Sequence, residues 1–246
     1  MVHFVGAGSG AEDLITLRGH RLLCDADIVI YTGSLINKDI LKCCKKGSTL
    51  LDSAYMNLDE ISDVYLENRN MDIVRLHTGD PCIFGAIREQ MDILSKEGIS
   101  YDYCPGVSSF CGAAAALKTE FTLPNIAQSV IITRAEGRTP VPEKQKIKDY
   151  AKHNTTMVIF LSVTLSKEIQ KDLISGGYDE NTPCAIVYKA TWTDEIVIRG
   201  LLKDLDKMIT SNGIKKTAII VVGNVLGDDY ELSKLYDKEF KTEYRK

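Results

Sequence analysis

The chain opens with Val2-His3-Phe4-Val5-Gly6-Ala7-Gly8-Ser9-Gly10, an apolar run that leads into a glycine-rich turn. Two later segments repeat this arrangement: Thr78-Gly79-Asp80-Pro81 follows the run 72–77, and Pro105-Gly106-Val107-Ser108-Ser109 follows the run 100–104. Glycine and proline there let the backbone approach a ligand, and open parallel sheets bind ligands outside the carboxyl ends of their strands. The three turns therefore predict one small-molecule site and indicate an enzyme.

The first half of the chain alternates predicted strands with predicted helices. Strands are predicted at 2–5, 28–31, 49–51, 73–76 and 99–103, and helices at 16–24, 38–44, 58–68, 86–96 and 109–118. Such alternation is typical of an α/β fold whose parallel sheet carries helices on its faces.

The pattern changes after 119–124, where a second domain is predicted to begin. Strands are predicted at 129–133, 157–162, 185–189, 195–198 and 217–222, with a helix at 167–175 and an irregular loop at 134–142. The turn Thr193-Asp194 is suited to joining two antiparallel strands. A chain of 246 residues fits two domains of common size, and we predict domains 1–118 and 119–246.

Composition limits the class of partner. The net charge of -4 and the absence of a Lys/Arg-rich tail argue against a nucleic-acid partner. No apolar run reaches the length of a membrane span, so we expect no membrane partner and a cytoplasmic location. The seven cysteines include no C-x-x-C spacing and the four histidines show no i, i+4 pair, so we predict no metal site.

The first turn also fits a dinucleotide-binding fingerprint, because Gly6-x-Gly8-x-x-Ala11 matches G-x-G-x-x-[GA]. A dinucleotide site needs an acidic residue at the end of the second strand to hold the ribose. Here Asp25 and Asp27 precede the strand 28–31 and Thr32 follows it. A nicotinamide or flavin enzyme is therefore disfavoured.

The second turn is more specific, because Asp80 places a carboxylate beside a glycine at a strand end. A carboxylate there is suited to a cationic ligand, such as the sulfonium and α-amino groups of S-adenosylmethionine. The alternative is that Asp80 serves only as a helix N-cap.

Several strings together resemble the tetrapyrrole methylases. In the first domain they are Val5-Gly6-Ala7-Gly8-Ser9-Gly10, Asp13-Leu14-Ile15-Thr16-Leu17-Arg18-Gly19, Ala26-Asp27-Ile28-Val29-Ile30-Tyr31, Gly79-Asp80-Pro81, Phe84-Gly85 and Pro105-Gly106-Val107-Ser108-Ser109. In the second they are Phe160-Leu161-Ser162, Lys189-Ala190-Thr191 and Thr217-Ala218-Ile219-Ile220-Val221-Val222-Gly223.

The resemblance implies a two-domain tetrapyrrole methylase fold, with a mainly parallel N-terminal sheet, a mixed C-terminal sheet and the cofactor cleft between the domains. It implies a homodimer that uses S-adenosylmethionine to methylate a ring carbon of a cobalamin precursor. The cofactor contacts that it implies are Thr78, Gly79, Asp80, Ile83, Ser108, Ser109, Leu161, Ala190 and Thr217. For the substrate, whose carboxylates need cations and donors, the candidates are Ser9, Gly10, Asp13, Arg18, Arg88, Arg134 and Arg138; Asp13 is equally suited to capping a helix.

The chain also departs from part of the family. Members that methylate uroporphyrinogen carry Asp where Thr32 stands, Lys near Ser53 and usually Pro where Ser9 stands, so that chemistry is disfavoured here. No obligatory base is assigned, because alignment of two ligands supplies much of the rate. The alternatives are a methylase acting on another corrin carbon, on ribosomal RNA or on a modified histidine, and a regulator that binds the donor without transfer. Whether the acceptor carries cobalt stays open.

Overall fold

The structure is a computed structural model that describes residues 1–245, without the side chain of Ser34. The chain forms two compact units. The first comprises Met1–Ala113 together with Lys189–Asp194, and the second comprises Ala114–Tyr188 and the chain from Glu195 onward. The division into domains 1–118 and 119–246 stays a prediction.

The first unit is built on a five-stranded sheet in the order β3-β2-β4-β1-β5, in which every pair is parallel. Its strands are β1 (Val2–Gly6), β2 (Ile28–Tyr31), β3 (Thr49–Asp52), β4 (Ile73–His77) and β5 (Tyr101–Cys104). The helices of this part of the chain are α1 (Leu17–Asp25), α2 (Leu58–Glu67), α3 (Arg88–Lys96) and α4 (Ser109–Leu117). The predicted parallel sheet is confirmed.

Both faces of the central strands β1, β2 and β4 are buried, and successive side chains of a strand point to opposite faces. Val5 and Leu76 belong to one apolar cluster, whereas Phe4 and Ile73 belong to the other. The strands therefore read as continuous apolar runs, as expected for a parallel sheet covered on two sides. Since all five strands are parallel, their carboxyl ends share one edge, and the three glycine turns lie there.

Two predicted helices of the first unit differ from the structure. The helix predicted from Ala86 begins at Arg88 instead, because Phe84 and Ala86 have φ of 55° and 48°, outside the helical region. The segment predicted as a helix at 38–44 is a 3-10 helix at Lys38–Cys43, and Cys44 is already extended.

The second unit is built on a mixed five-stranded sheet in the order β6-β7-β10-β8-β9. Its strands are β6 (Val130–Arg134), β7 (Thr156–Phe160), β8 (Pro183–Tyr188), β9 (Ile196–Leu201) and β10 (Ala218–Val222), and its helices are α5 (Ile147–Ala151), α6 (Ser166–Gly176) and α7 (Leu205–Ser211). Strands β6 and β7 are parallel and the other pairs are antiparallel, so the predicted mixed sheet is confirmed. The helix α7 was not predicted from the sequence.

An apolar core lies between this second sheet and its helices. Leu173 of α6 and Leu205 of α7 pack with Met157 and Ile220 of the two central strands. Among the described residues, every helix is too short or too polar to cross a membrane.

Candidate functional site

The three glycine turns of the first unit converge at the backbone of Gly6, Gly79 and Gly106. A Cβ atom on Gly6 would lie 2.6 Å from both the Gly106 Cα and the Gly79 carbonyl oxygen. One on Gly106 would lie 2.3 Å from the same oxygen. These distances admit no side chain, so the positions require glycine. The predicted meeting of the three turns is confirmed.

Backbone hydrogen bonds hold the first two turns together. The Gly79 amide donates to the Gly8 carbonyl at 2.9 Å, and the Ala7 amide donates to the His77 carbonyl at 2.7 Å. Gly79 has a φ of 64°, in the left-handed region that favours glycine. The turn backbone is therefore held in one conformation.

The carboxylate of Asp80 joins the second turn to the third. One oxygen accepts a hydrogen bond from the Cys82 amide at 2.8 Å and another from the Tyr103 hydroxyl. The second oxygen accepts from the Gly106 amide at 2.8 Å. Asp80 is 9% exposed, so both oxygens of a buried carboxylate are used within the protein.

These bonds change the acidity of the groups that make them. Burial on its own would raise the pKa of Asp80, but the hydrogen bonds from Cys82, Tyr103 and the Gly106 amide outweigh it and lower the pKa. Burial, followed by the hydrogen bond to Asp80, raises the pKa of Tyr103. The pair is therefore a carboxylate and a neutral phenol at neutral pH.

The alternative interpretation of Asp80 as a helix N-cap is wrong in that form, since the next α-helix begins at Arg88. Asp80 instead accepts from the amide of Cys82 within a turn, and its carbonyl accepts from the Ile83 amide at 3.3 Å. Ile83 is half-buried and Phe84 is 45% exposed. Asp80 thus orders the segment that carries these two apolar side chains.

Ser108 and Ser109 stand at the start of α4, beside the second turn. The Ser108 carbonyl accepts from the Cys111 amide at 3.0 Å. A Cβ on Gly79 would lie 3.1 Å from the Ser109 amide nitrogen and 3.2 Å from its hydroxyl oxygen. The structure therefore brings Thr78, Gly79, Asp80, Ser108 and Ser109 together as the sequence predicted.

The segment Lys189–Asp194 packs onto the first turn. The Thr191 hydroxyl oxygen accepts from the Ala11 amide at 3.0 Å and lies 3.2 Å from the Ser9 hydroxyl oxygen. A Cβ on Gly10 would lie 2.1 Å from the Trp192 ring and 2.6 Å from the Ala190 carbonyl oxygen. Of the predicted residues, Ser9, Gly10 and Ala190 are therefore neighbours, although 180 positions separate Ala190 from Gly10 in the sequence.

The two positions that differ from the uroporphyrinogen methylases have ordinary hydroxyl partners. The Thr32 hydroxyl oxygen lies 3.1 Å from that of Thr78, and the Ser53 hydroxyl donates to the Tyr31 carbonyl at 3.0 Å. Hydroxyl groups at these positions stay neutral near neutral pH, so they do not supply the ionisable acid and base of an Asp and Lys pair.

A buried polar network behind the second turn was not predicted. The Arg75 guanidinium donates to the Gln90 side-chain oxygen at 3.3 Å and to the Ile30 carbonyl at 3.2 Å. Gln90 also accepts from the Tyr65 hydroxyl at 2.7 Å and donates to the Ala86 carbonyl at 2.9 Å. The network therefore fixes Ala86, at the end of the segment that carries Ile83. The sequence signal for this network was the presence of two polar residues, Arg75 and Gln90, within otherwise apolar patterns.

His77 is the buried histidine of the same strand. It is 3% exposed, and its Nε2 has no hydrogen-bond partner among the described residues. Burial, followed by the charge of Arg75, lowers the pKa of His77 to about 3. The imidazole is therefore neutral at physiological pH.

In the second unit, Leu161 follows β7 and Thr217 precedes β10, so both lie at the same end of two neighbouring strands. The antiparallel register pairs Ile220 with Ile159, which places the residue after β7 beside the start of β10. Leu161 has a φ of 54° and is 64% exposed, and Thr217 has a φ of 56°. A left-handed backbone is costly for such residues and is concentrated at functional sites, so this edge is a candidate ligand surface.

The candidate substrate residues differ in their environment. The Arg134 guanidinium donates to the carbonyls of Thr139 at 3.1 Å and Pro140 at 2.8 Å, so it holds its own loop. Arg138 is exposed in that loop and makes no ion pair in the part of the chain that the structure describes. Arg88 pairs with Asp92 at 3.0 Å on the surface of α3.

The remaining two candidates lie near the start of α1. Arg18 is exposed in the first turn of that helix. Asp13 is exposed in a 3-10 helix at Glu12–Leu14, and the cap of α1 is Thr16, which accepts from the Gly19 amide at 3.1 Å. The interpretation of Asp13 as the helix cap is therefore wrong.

The fold combines a parallel sheet, flanked by helices, with a second, mixed sheet. A buried carboxylate joins two of the glycine turns at the ends of the parallel strands. Together these features define a class of enzymes that act on small molecules. The chain belongs to the tetrapyrrole (corrin/porphyrin) methylases, whose family model matches residues 1–206. It is therefore a methyltransferase.

Relatives within the family are similar over their full length. The chain is 54% identical to a cobalt-precorrin-4 C(11)-methyltransferase of Methanocaldococcus jannaschii, over 100% of this chain and 96% of that one. It is 39% identical to a precorrin-4 C(11)-methyltransferase of Sinorhizobium sp, over 99% and 98%. A solved cobalt precorrin-4 methyltransferase, described as a cobalamin biosynthetic enzyme, superposes with a TM-score of 0.90 at 46% identity, covering 92% of this chain and 96% of that one.

Proposed function

We propose that the protein transfers a methyl group from S-adenosylmethionine to C11 of precorrin-4 or cobalt-precorrin-4 in cobalamin biosynthesis. The observation that carries the proposal is the convergence of Gly6, Gly79 and Gly106, which brings the turns that follow β1, β4 and β5 together at the carboxyl ends of these strands. The relatives at 54% and 39% identity carry this activity in their names and support the choice of acceptor.

The residues fit the donor in their chemistry. Gly79 packs closely beside the Ser109 hydroxyl, and Ile83 and Leu161 supply apolar surface suited to adenine. The residues proposed to form the donor site, by contact or by ordering its turns, are Thr78, Gly79, Asp80, Ile83, Ser108, Ser109, Leu161, Ala190 and Thr217. Both Asp80 oxygens bond within the protein, so we assign Asp80 to ordering the turns. The backbone carbonyl groups of these turns would then contact the positively charged donor.

The chemistry needs alignment more than proton transfer. The donor supplies an electrophilic methyl group on a sulfonium, and an electron-rich ring carbon of the acceptor displaces S-adenosylhomocysteine. A fixed backbone favours this step, since alignment contributes on the order of 7 to 11 kcal/mol to lowering a barrier. No residue is assigned as a general base. Ser9, Gly10, Asp13, Arg18, Arg88, Arg134 and Arg138 are the proposed substrate residues.

The deciding experiment incubates the protein with S-adenosylmethionine and each acceptor, precorrin-4 and cobalt-precorrin-4. We expect a product heavier by one methyl group, located at C11 by nuclear magnetic resonance, and an equal amount of S-adenosylhomocysteine. Uroporphyrinogen is the control acceptor and should yield no methylated product, because Thr32 and Ser53 replace the acid and the base.

Methylation at another ring carbon would overturn the proposed acceptor. Donor binding without any transfer would favour the regulator alternative. Calorimetry with S-adenosylmethionine, with NADH as the control ligand, tests the donor separately. The proposal includes a cytoplasmic homodimer, for which sedimentation at several protein concentrations is the test.

A further inference from the structure

Three metal-ligating side chains meet near the end of α1. Cys24 Sγ lies 3.6 Å from His20 Nδ1 and 3.7 Å from His20 Nε2. The ligand atoms of His20, Cys24 and Cys43 all lie within 4.8 Å of one another. Helix α1 leads into β2, so its last turn lies near the amino ends of the strands, at the edge opposite the glycine turns. The cluster is therefore separate from the proposed methyl-donor site.

Local structure explains why these residues meet. His20 and Cys24 are four positions apart on α1 and share one face of that helix. The Cys24 carbonyl accepts from the Lys45 amide at 3.2 Å, which holds the end of the 3-10 helix against α1. The sequence gives no signal of this cluster, because it has neither C-x-x-C nor paired histidines. The cluster runs against our prediction of no metal site.

The distances suit a tetrahedral zinc ion. With bonds of about 2.3 Å to sulfur and about 2.0 Å to nitrogen, tetrahedral angles put the nitrogen and the sulfur roughly 3.6 Å apart. The observed separation of the Cys24 sulfur from the His20 ring nitrogens is 3.6 to 3.7 Å. His20 is exposed, so its ring has room to turn one nitrogen toward an ion.

We propose that His20, Cys24 and Cys43 bind one zinc ion and leave its fourth position to water. Cysteine sulfur and histidine nitrogen are ordinary zinc ligands, and three protein ligands leave one position of a tetrahedral ion for water. The ion would join α1 to the segment that follows β2, and so stabilise the first unit. This role is independent of the proposed methyl transfer.

The test uses the intact, reduced, metal-free protein titrated with Co²⁺ alone and then with Zn²⁺. We expect a thiolate-to-cobalt charge-transfer absorption that saturates at one ion per chain and disappears when zinc displaces cobalt. Cys24→Ser and Cys43→Ser should each weaken binding by more than about a hundredfold, since even loss of a group that supports a ligand costs 10- to 100-fold. The control Cys111→Ser, which changes an exposed thiol on α4, should leave the absorption unchanged.

His20→Asn provides a variant at an exposed position in case the cysteine variants fail to fold. We expect it to lower zinc affinity while the thiolate absorption persists. The proposal is overturned if wild type shows no thiolate absorption, or if His20→Asn binds zinc as wild type does. It is also overturned if the mass of the freshly isolated protein is lower by two hydrogen atoms because Cys24 and Cys43 form a disulfide.

Discussion

The Asp80 carboxylate accepts a hydrogen bond from the Gly106 amide at 2.8 Å, across 26 positions of the chain. This bond joins the turn after β4 to the turn after β5. With the Tyr103 hydroxyl on its other oxygen, Asp80 holds two of the three converging turns in register. Its effect on ligand binding is therefore expected to act through backbone position.

Asp80→Asn should destabilise the joined turns by about 1.5 to 3 kcal/mol, the usual value of a hydrogen bond to a charged group, and the displaced turns should then bind S-adenosylmethionine less tightly. The asparagine amide cannot accept on both sides, so one of the Gly106 and Tyr103 donors is left without a partner. Isothermal titration calorimetry measures the change. Tyr103→Phe removes a single donor and leaves no buried donor without a partner, so it should weaken binding less than Asp80→Asn does.

The control for this series is Asp59→Asn, which alters an exposed acid in the first turn of α2. It should leave donor affinity unchanged. A folded Asp80→Asn protein with wild-type affinity would show that the turns keep their positions without this carboxylate.

Leu161→Gly should make the protein more stable and bind the donor less well. The left-handed backbone of Leu161 costs about 1 kcal/mol for a residue with a Cβ, and its 64% exposed side chain contributes little to the core. Removing it relieves that cost but deletes the apolar surface proposed for adenine. Thermal unfolding and calorimetry with the donor measure the two effects.

Lys118→Gly is the matched control, because Lys118 is exposed and has a φ of 50°. It should raise stability by a similar amount without changing donor affinity. If Leu161→Gly binds the donor as tightly as wild type, Leu161 is not a donor contact and its backbone needs another explanation.

His77 should make the stability of the protein depend on pH between about 6.5 and 3. Its folded-state pKa of about 3 lies below the ordinary value, so the unfolded chain takes up a proton first as the pH falls and the folded state loses stability. With an unfolded pKa of about 6.5, the loss attributable to His77 at pH 5 is about 2 kcal/mol.

Denaturant unfolding of wild type and His77→Gln at pH 7.5 and pH 5 measures this contribution. The stability lost between the two pH values should be about 2 kcal/mol smaller in the variant. His153→Gln, at an exposed histidine, should behave as wild type. An equal loss in His77→Gln and wild type would mean that His77 is protonated in the folded protein.

Arg138→Lys should raise the KM for the tetrapyrrole, because a guanidinium holds a carboxylate by two parallel bonds and a lysine cannot. A lower kcat is expected as well if that contact aligns the ring carbon. Donor affinity should stay within about twofold. Steady-state kinetics with the corrin acceptor is the measurement.

Arg134→Lys should act differently from Arg138→Lys, because Arg134 already donates to the carbonyls of Thr139 and Pro140. We expect faster proteolysis of the loop 135–140 together with the kinetic change. Arg21→Lys, at an exposed site on α1, is the neutral control. Unaltered kinetics in both loop variants would move the search for substrate cations to Arg18 and Arg88.

Much of the fold could be predicted from short stretches of sequence. Apolar runs such as 28–31 define buried parallel strands because each residue of the run packs on one of the two sheet faces. Glycines at the ends of those runs predicted where the turns would approach one another, and Gly79 and Gly106 do lie in contact there. These features depend on neighbours only a few positions apart.

Other features depended on the tertiary structure. Asp80 was interpreted as a direct partner of a cation or as a helix cap, whereas its partners lie on a turn 26 positions away. Arg134 was predicted from the sequence as a substrate residue, and the structure adds that its guanidinium donates to backbone carbonyls of its own loop. The hydrogen-bond partners of a side chain depend on which groups the folded chain places within bonding distance. Spacing along the sequence does not reveal which groups those are.

The sequence by itself determined the alternation of strands and helices, the family and the three turns, since these follow from local pattern and backbone restriction. Only the tertiary structure decided that Asp80 bonds to Gly106 and that His20 and Cys24 lie beside Cys43. Such contacts form between residues that folding brings together from distant positions. Their geometry depends on packing of whole elements, so no local pattern determines it.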